Sequence, residues 1–139
     1  MTVTLHYDVP SADEYNDLRI AVGWDLSTPE IITLALQNSL FTVTLRQAGQ
    51  LVGMARVVGD GGLAFYVQDV IVLEHLRGQG YGKLLMDEVM KYLHATAKPG
   101  SGIGLMAALG KEAFYEPFGF HRRPNTLRGS GMSQHPSKW

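Results

Sequence analysis

The chain has 139 residues, 45% hydrophobic and 18% charged, with a formal net charge of −1 and no cysteine. That length and balance fit one globular domain with its own core, and they exclude a disordered chain, a disulfide framework and a thiolate metal site. A charge so near zero gives no electrostatic case for nucleic acid or an anionic membrane surface. No apolar run approaches the roughly 20 residues of a membrane span, and Met1-Thr2-Val3-Thr4 lacks the basic start of a signal peptide. A cytoplasmic location is the expectation.

In chain order, residues 2–8 read as a first strand, ended by Pro10. Ser11 and Glu14 have the spacing of a capping box, so Ala12 to Val22 reads as a short helix. Gly23-Trp24-Asp25-Leu26 is a loop holding a large aromatic residue. Ser27 and Glu30 repeat the capping spacing, with Pro29 in the first turn, and a second helix is expected to about Ser39. Its apolar positions Ile31, Ile32, Leu34 and Ala35 suggest one buried face.

Residues 40–46 alternate at period two, Gln47-Ala48-Gly49-Gln50 reads as a hairpin turn, and Leu51 to Val58 is the returning strand. Gly59-Asp60-Gly61-Gly62 is a second turn, and Leu63 to Leu73 is a third strand, completing an antiparallel meander. A helix follows from about Gly80 to Ala97 with Leu85, Val89, Tyr92 and Leu93 as its core stripe. After Lys98-Pro99-Gly100-Ser101-Gly102, Ile103 to Ala107 reads as a short buried strand, set parallel to the strand before the helix. Gly110 to Glu116 is a short helix, Phe118 to His121 begins another strand, and one more short strand is expected near Met132. The whole reads as a single domain over 1–139 with a loose tail from about residue 124.

The segment from Val70 to Leu85 organises this plan. A β-branched run passes through Arg77-Gly78-Gln79-Gly80-Tyr81-Gly82-Lys83 into an amphipathic helix. The first N–H groups of such a helix have no helical acceptor, and with the helix dipole they favour a phosphate or pyrophosphate. Glycines at 78, 80 and 82 permit positive φ and carry no Cβ to hold a ligand away, while Arg77 and Lys83 bracket the turn with positive charge. A P-loop would need glycine where Arg77 stands and Ser or Thr in place of Leu84. The dinucleotide pattern G-x-G-x-x-G fails in both registers, at Lys83 and at Leu85.

What remains, Arg77-x-x-Gly80-x-Gly82, resembles the pyrophosphate-binding pattern Gln/Arg-x-x-Gly-x-Gly/Ala of the GNAT superfamily of acyl-CoA-dependent N-acetyltransferases. A second segment, Ala113-Phe114-Tyr115-Glu116-Pro117-Phe118-Gly119-Phe120, is similar to that family's Ala-x-x-Phe-Tyr-Glu-x-x-Gly-Phe, shortened between Ala113 and Phe114. Together the two cover about residues 63–120. Two positions depart from the pattern: Ala108 stands where members often carry Asn, and Glu74 where they often carry Pro.

The resemblance implies a mixed α/β fold of about six or seven strands and four helices, an antiparallel meander joined to a parallel β-α-β cofactor cleft. It implies acetyl-CoA as co-substrate, held by the backbone of Val70, Ile71 and Val72 and by the loop Arg77, Gly78, Gln79, Gly80, Tyr81, Gly82 and Lys83. It implies direct transfer to a primary amine, with Tyr115 protonating the departing thiolate. Asp69 is a candidate general base, although strict alternation puts Tyr66, Gln68 and Val70 on one face and Asp69 on the other unless a bulge intervenes. Trp24, Leu26, Tyr66 and Gln68 are the candidate acceptor lining, aromatic and weakly polar, which suits a small amine with an apolar body. A protein lysine or N-terminus is the alternative acceptor, and a non-catalytic acyl-CoA sensor or a nucleotide-binding module the alternative class. The histidines at 6, 75, 94, 121 and 135 show no ligand spacing, so no metal is expected. A homodimer is possible within the resembled family.

Overall fold

The computed structural model describes residues 2–139. It divides into two compact units, one ending at Leu105 and the other spanning Met106–Trp139. The first holds β1 (Val3–His6), α1 (Ala12–Ala21), α2 (Pro29–Gln37), β2 (Phe41–Gln47), β3 (Gln50–Gly59), β4 (Ala64–Val72), α3 (Tyr81–Thr96) and β5 (Gly102–Gly104). One sheet has the order β1-β2-β3-β4-β5, antiparallel from β1 to β4 and parallel between β4 and β5. The meander and the β-α-β crossover are therefore as the sequence implies.

Local chemistry explains most of the boundaries. Ser11 Oγ accepts from Glu14 N–H at 3.1 Å while the Glu14 carboxylate accepts from Ser11 N–H at 3.0 Å, a complete capping box. The β2–β3 hairpin turns through Ala48 at φ 52° and Gly49 at φ 79°, the handedness that two-residue hairpins require. At the next turn the Asp60 carboxylate accepts from the N–H groups of Gly62 (2.8 Å) and Ala64 (2.9 Å).

Every residue of β3 from Leu51 to Val57 is buried, as a strand with both faces covered must be. On one face Tyr15 and Leu18 of α1 and Ile32 and Leu36 of α2 pack on Leu51, Met54 and Ile71. On the other, α3 lies across β2, β3 and β4 with Leu85, Met86, Val89 and Leu93 buried. Tyr92 completes that contact by stacking on Phe41 at 4.8 Å.

Helix α2 departs from expectation in three respects. Its N-cap is Thr28 rather than Ser27, with no side-chain cap, because Ser27 is engaged by Asn16. It ends at Gln37. Its buried pair is Ile32 and Leu36, spaced by four, whereas Ile31 and Leu34 are exposed. Periodicity over so apolar a helix does not determine its rotation; the fit against Tyr15 and Met54 does.

The second unit contains α4 (Glu112–Tyr115) followed by a 3-10 turn over Glu116–Phe118. Phe114 packs edge-on against Tyr115 (4.9 Å) and Phe118 (5.8 Å), and Arg122 pairs with Glu116 at 2.9 Å. Asn125 organises the turn beyond by accepting from the N–H groups of Leu127 and Arg128. The sheet has five strands rather than six or seven, since neither the strand expected from Phe118 nor the one near Met132 forms. Phe118 closes the 3-10 turn and Gly119 stands at φ 93°, a left-handed residue that breaks a pleat at its second position.

Candidate active site

In β4, Leu73 N–H donates to Val52 C=O at 3.0 Å, which fixes the hydrogen-bonding direction of the end of this strand. Alternation along an antiparallel ladder turns Ile71 toward β3 as well, and turns the peptide groups of Val70 and Val72 to the opposite edge. That edge faces β5, yet β5 ends at Gly104 opposite Tyr66, so β4 runs on past it. The parallel pair thus opens beside Val70 and Val72. Of the three residues the resemblance implies as amide donors, two face this opening and Ile71 faces β3. The Val72 carbonyl is taken by Arg77, whose Nε donates to it at 3.1 Å.

The chain then makes a 3-10 turn over Glu74–Leu76 and enters the glycine loop. Gly78 lies at φ 76° and Gly80 at φ 88°, and a Cβ on either would meet no protein atom within 4 Å. Neither glycine is needed to avoid a clash inside the chain; each serves the turn and leaves the space before α3 clear. Gly82 is the second residue of α3, so only two of the three glycines use positive φ.

Gly80 is the N-cap of α3 and supplies no capping side chain. The first helical bond runs from Leu84 N–H to Gly80 C=O at 3.0 Å. The amides of Tyr81, Gly82 and Lys83 lie ahead of it and point out of the helix end. Such an uncapped end favours an anion. Lys83 turns along the helix to Asp87 at 2.7 Å, and Gln79 donates to His75 C=O at 3.3 Å. The peptide groups, more than these side chains, supply the polarity of the loop.

Asp69 has φ 54°, one of two non-glycine residues with positive φ among the described residues. It marks a register shift in which β4 carries an extra residue opposite Ala55, between the pairs Met54–Ile71 and Arg56–Gln68. The bulge brings the Asp69 side chain to the face of Arg56 and Gln68, reversing strict alternation. There it is wholly buried: Oδ2 accepts from Arg56 Nε at 2.6 Å and from the Tyr15 hydroxyl at 2.6 Å. Among the described residues Oδ1 has no hydrogen-bond partner, and it lies 3.6 Å from Arg19. Burial, and then the neighbouring Asp69 charge, raise the Tyr15 phenol above its ordinary pKa, so it stays a donor. The Asp69 side chain has no exposed surface of its own, and the partly exposed Arg19 guanidinium lies between it and the surface of the chain.

Arg19 joins the cluster to the surface. It donates to the Tyr15 hydroxyl (3.2 Å) and to Asp25 C=O (2.9 Å), and its guanidinium lies 5.4 Å from the Trp24 ring. Trp24 is half-buried against the α1–α2 core, Tyr66 and Gln68 are half-buried on β4, and Leu26 is 64% exposed. Sequence reasoning missed Tyr15, Arg19 and Arg56. Arg56 carried a signal, as the lone charge in the apolar run Leu51 to Val58 beside a strand with the lone carboxylate Asp69. A buried charge needs a partner, and the antiparallel register brings these two together.

In the second unit, Tyr115 ends α4 with its ring edge-on to Phe114 and 6.3 Å from Phe120. Burial raises the pKa of its hydroxyl. Among the described residues that hydroxyl has no hydrogen-bond partner.

A β4 edge left unpaired beyond Gly104 and followed by an uncapped, glycine-opened helix offers main-chain donors suited to an extended ligand with an anionic group. The chain belongs to the GNAT acetyltransferase family and is an acyltransferase of the N-acetyltransferase type, since the family profile described as "Acetyltransferase (GNAT) domain" matches residues 14–139. It is 30% identical over 120 residues to an uncharacterized N-acetyltransferase, ycf52, of Porphyra purpurea, covering 84% of this chain and 68% of that protein. It is 31% identical over 118 residues to a chloroplastic serotonin N-acetyltransferase 2 of rice, covering 82% of this chain and 58% of the relative. Among solved structures it matches a probable acetyltransferase of unknown function from Staphylococcus aureus, at TM-score 0.87 and 36% identity, over 96% of this chain and all of that one. Among the described residues no helix is long and apolar enough to cross a membrane.

Proposed function

We propose that this chain transfers the acetyl group of acetyl-CoA to the primary amine of a small molecule with an apolar body. The observation that carries the reading is the continuity of the Val70–Val72 edge of β4 with the uncapped end of α3. Acetyl-CoA supplies an activated acyl thioester and a pyrophosphate some distance from it. The amides of Tyr81, Gly82 and Lys83 are the donors for the pyrophosphate. The Val70 amide is the donor for the thioester oxygen, where negative charge develops as the amine attacks. Holding both reactants side by side supplies much of the acceleration, with no residue acting as nucleophile. The resemblance of residues 113–120 supports Tyr115 as the group that gives its proton to sulfur as the C–S bond breaks, while the proton shed by the amine nitrogen passes to solvent, from which the phenol is restored.

The acceptor reading rests on Trp24, Tyr66 and Gln68 and on a chain with no excess charge to attract a polyanion. Similarity to a rice protein named for an aromatic amine supports it.

Thermal unfolding with acetyl-CoA, CoA, ATP and NAD tests the donor. Acetyl-CoA at about 100 times its dissociation constant stabilises by roughly 2.7 kcal/mol. An equal or larger effect of ATP overturns the donor assignment. CoA release measured over a panel of aromatic amines, aliphatic amines and lysine peptides then tests the acceptor, and turnover confined to the peptides overturns the small-molecule reading.

A further inference from the structure

A left-handed residue with a side chain persists in a strand only where its surroundings hold it there. Asp69 is such a residue, and what holds it is identifiable. Arg56 Nε from β3 and the Tyr15 hydroxyl from α1 both reach Oδ2 at 2.6 Å. Arg56 also donates to Ser39 Oγ at 3.2 Å, and Ser39 in turn donates to Ala35 C=O near the end of α2. The clamp therefore draws on a strand and on both helices of that face. The bulge it holds comes one residue before Val70, whose peptide group faces the opening beside β5. A change of φ at Asp69 rotates the Val70 amide directly, because the two share one peptide bond.

We infer that Arg56 and Tyr15 are positioning residues for acyl transfer: by gripping the Asp69 carboxylate they fix the bulge that aims the Val70 amide at the thioester oxygen. Asp69 thereby acts through geometry and not as a proton acceptor. This rests on the acetyl-transfer reading above, and it adds to it residues that touch neither reactant.

The infrared arm of the test uses the full chain and acetyl-CoA carrying a 13C carbonyl and needs no amine; the arm on Asp69 uses an amine accepted in the panel above. Isotope-edited infrared spectra of the bound thioester report how strongly its oxygen is polarised. In the wild-type chain the carbonyl stretch falls to lower frequency on binding. In Tyr15→Phe, which removes one hydroxyl, and in Arg56→Met, that shift drops to about half or less. Affinity for CoA, which has no carbonyl at that place, stays within about threefold in both variants. If Arg56→Met does not fold, Tyr15→Phe carries the test.

A merely structural clamp gives the opposite pattern: lower melting temperatures with an unchanged carbonyl shift, which overturns the inference. Asp69→Asn separates positioning from base catalysis. Asn tolerates left-handed φ and keeps one oxygen for the two donors, so the carbonyl shift survives. A loss of more than about 100-fold in amine-dependent CoA release by that variant, with its carbonyl shift intact, assigns Asp69 as a base and also overturns the inference. Failure of the wild-type chain to bind acetyl-CoA overturns the acetyl-transfer reading itself, a result distinct from both.

Discussion

The amide of Leu84 donates to the carbonyl of Gly80 at 3.0 Å, and this bond sets where α3 begins. Ahead of it the amides of Tyr81, Gly82 and Lys83 have no acceptor within the helix, and Gly80 puts no side chain before them. Gly80 holds φ 88° there.

Replacing Gly80 with Ala therefore has two separable effects. The left-handed conformation costs an L-residue about 1–2 kcal/mol of stability. The added Cβ, which meets nothing within 4 Å in the chain, occupies the space where an anion approaches the amides. CoA affinity is expected to fall at least tenfold, about 1.4 kcal/mol. Gly100→Ala is the control: φ is 100° with equally open space, so it carries comparable strain but no expected loss of affinity. Thermal melts beside CoA titrations decide it, and equal affinity losses in both variants would mean that strain alone is responsible.

Tyr115→Phe removes a hydroxyl that makes no hydrogen bond among the described residues, so packing against Phe114 and Phe120 is retained. Turnover is expected to fall by about 10²- to 10⁴-fold, with CoA affinity unchanged. Burial raises the pKa of this group, so the protonated, active form persists to higher pH than for an ordinary tyrosine at 10.0. The alkaline fall in wild-type turnover lies above that value and is absent in the variant. Turnover within about threefold of wild type would return Tyr115 to a packing role.

Arg46 ties β2 to Glu14 of α1 at 2.5 Å and to Asp8 at 2.6 Å. Its hydrogen bond, followed by one from Ser11 N–H, lowers the Glu14 pKa below 4.5. For Asp8, burial pushes the pKa up, but hydrogen bonds from Arg46 and Thr44 outweigh it and bring it below 3.8. Depressed folded-state values mean that this stability is present above the unfolded pKa values and is lost as pH falls through the folded ones. Arg46→Met is expected to cost about 1 kcal/mol at pH 7, because the partners are partly exposed. The gap between the two melting temperatures should close progressively below about pH 4. A gap that persists at pH 2 would attribute the effect to packing of the arginine stem.

Ala48 sits at φ 52° in the β2–β3 turn, where an L-residue other than Asn or Asp is disfavoured. Ala48→Asn is expected to stabilise the chain by about 0.5–1 kcal/mol, giving an Asn-Gly turn of the kind two-residue hairpins favour. Chemical denaturation reads this directly, and an unchanged or lower midpoint would show that the turn does not limit stability.

Much of this was legible locally. Ser11 and Glu14 announce the start of α1, Ala48-Gly49 the hairpin, and the run from Val70 through Gly80 the strand, loop and helix of the candidate site. Each depends on residues close in sequence, and short-range sterics and hydrogen bonding decide them. Phe118 to His121 misled because an apolar run beside a glycine has no strand identity until a partner edge is supplied. Ile31 and Leu34 misled because α2 is apolar on more than one side.

By itself, then, the sequence determined the order of elements, the family pattern and the glycine-opened end of α3. Only the tertiary structure decided that Asp69 turns inward through a bulge, that Arg56 and Tyr15 seize it, and that Val70 and Val72 face the opening while Ile71 does not. The reason is that a bulge and a buried ion pair are cooperative. Neither the left-handed Asp69 nor the desolvated Arg56 is favourable alone, and each is stable only when strands and helix bring the other within 2.6 Å.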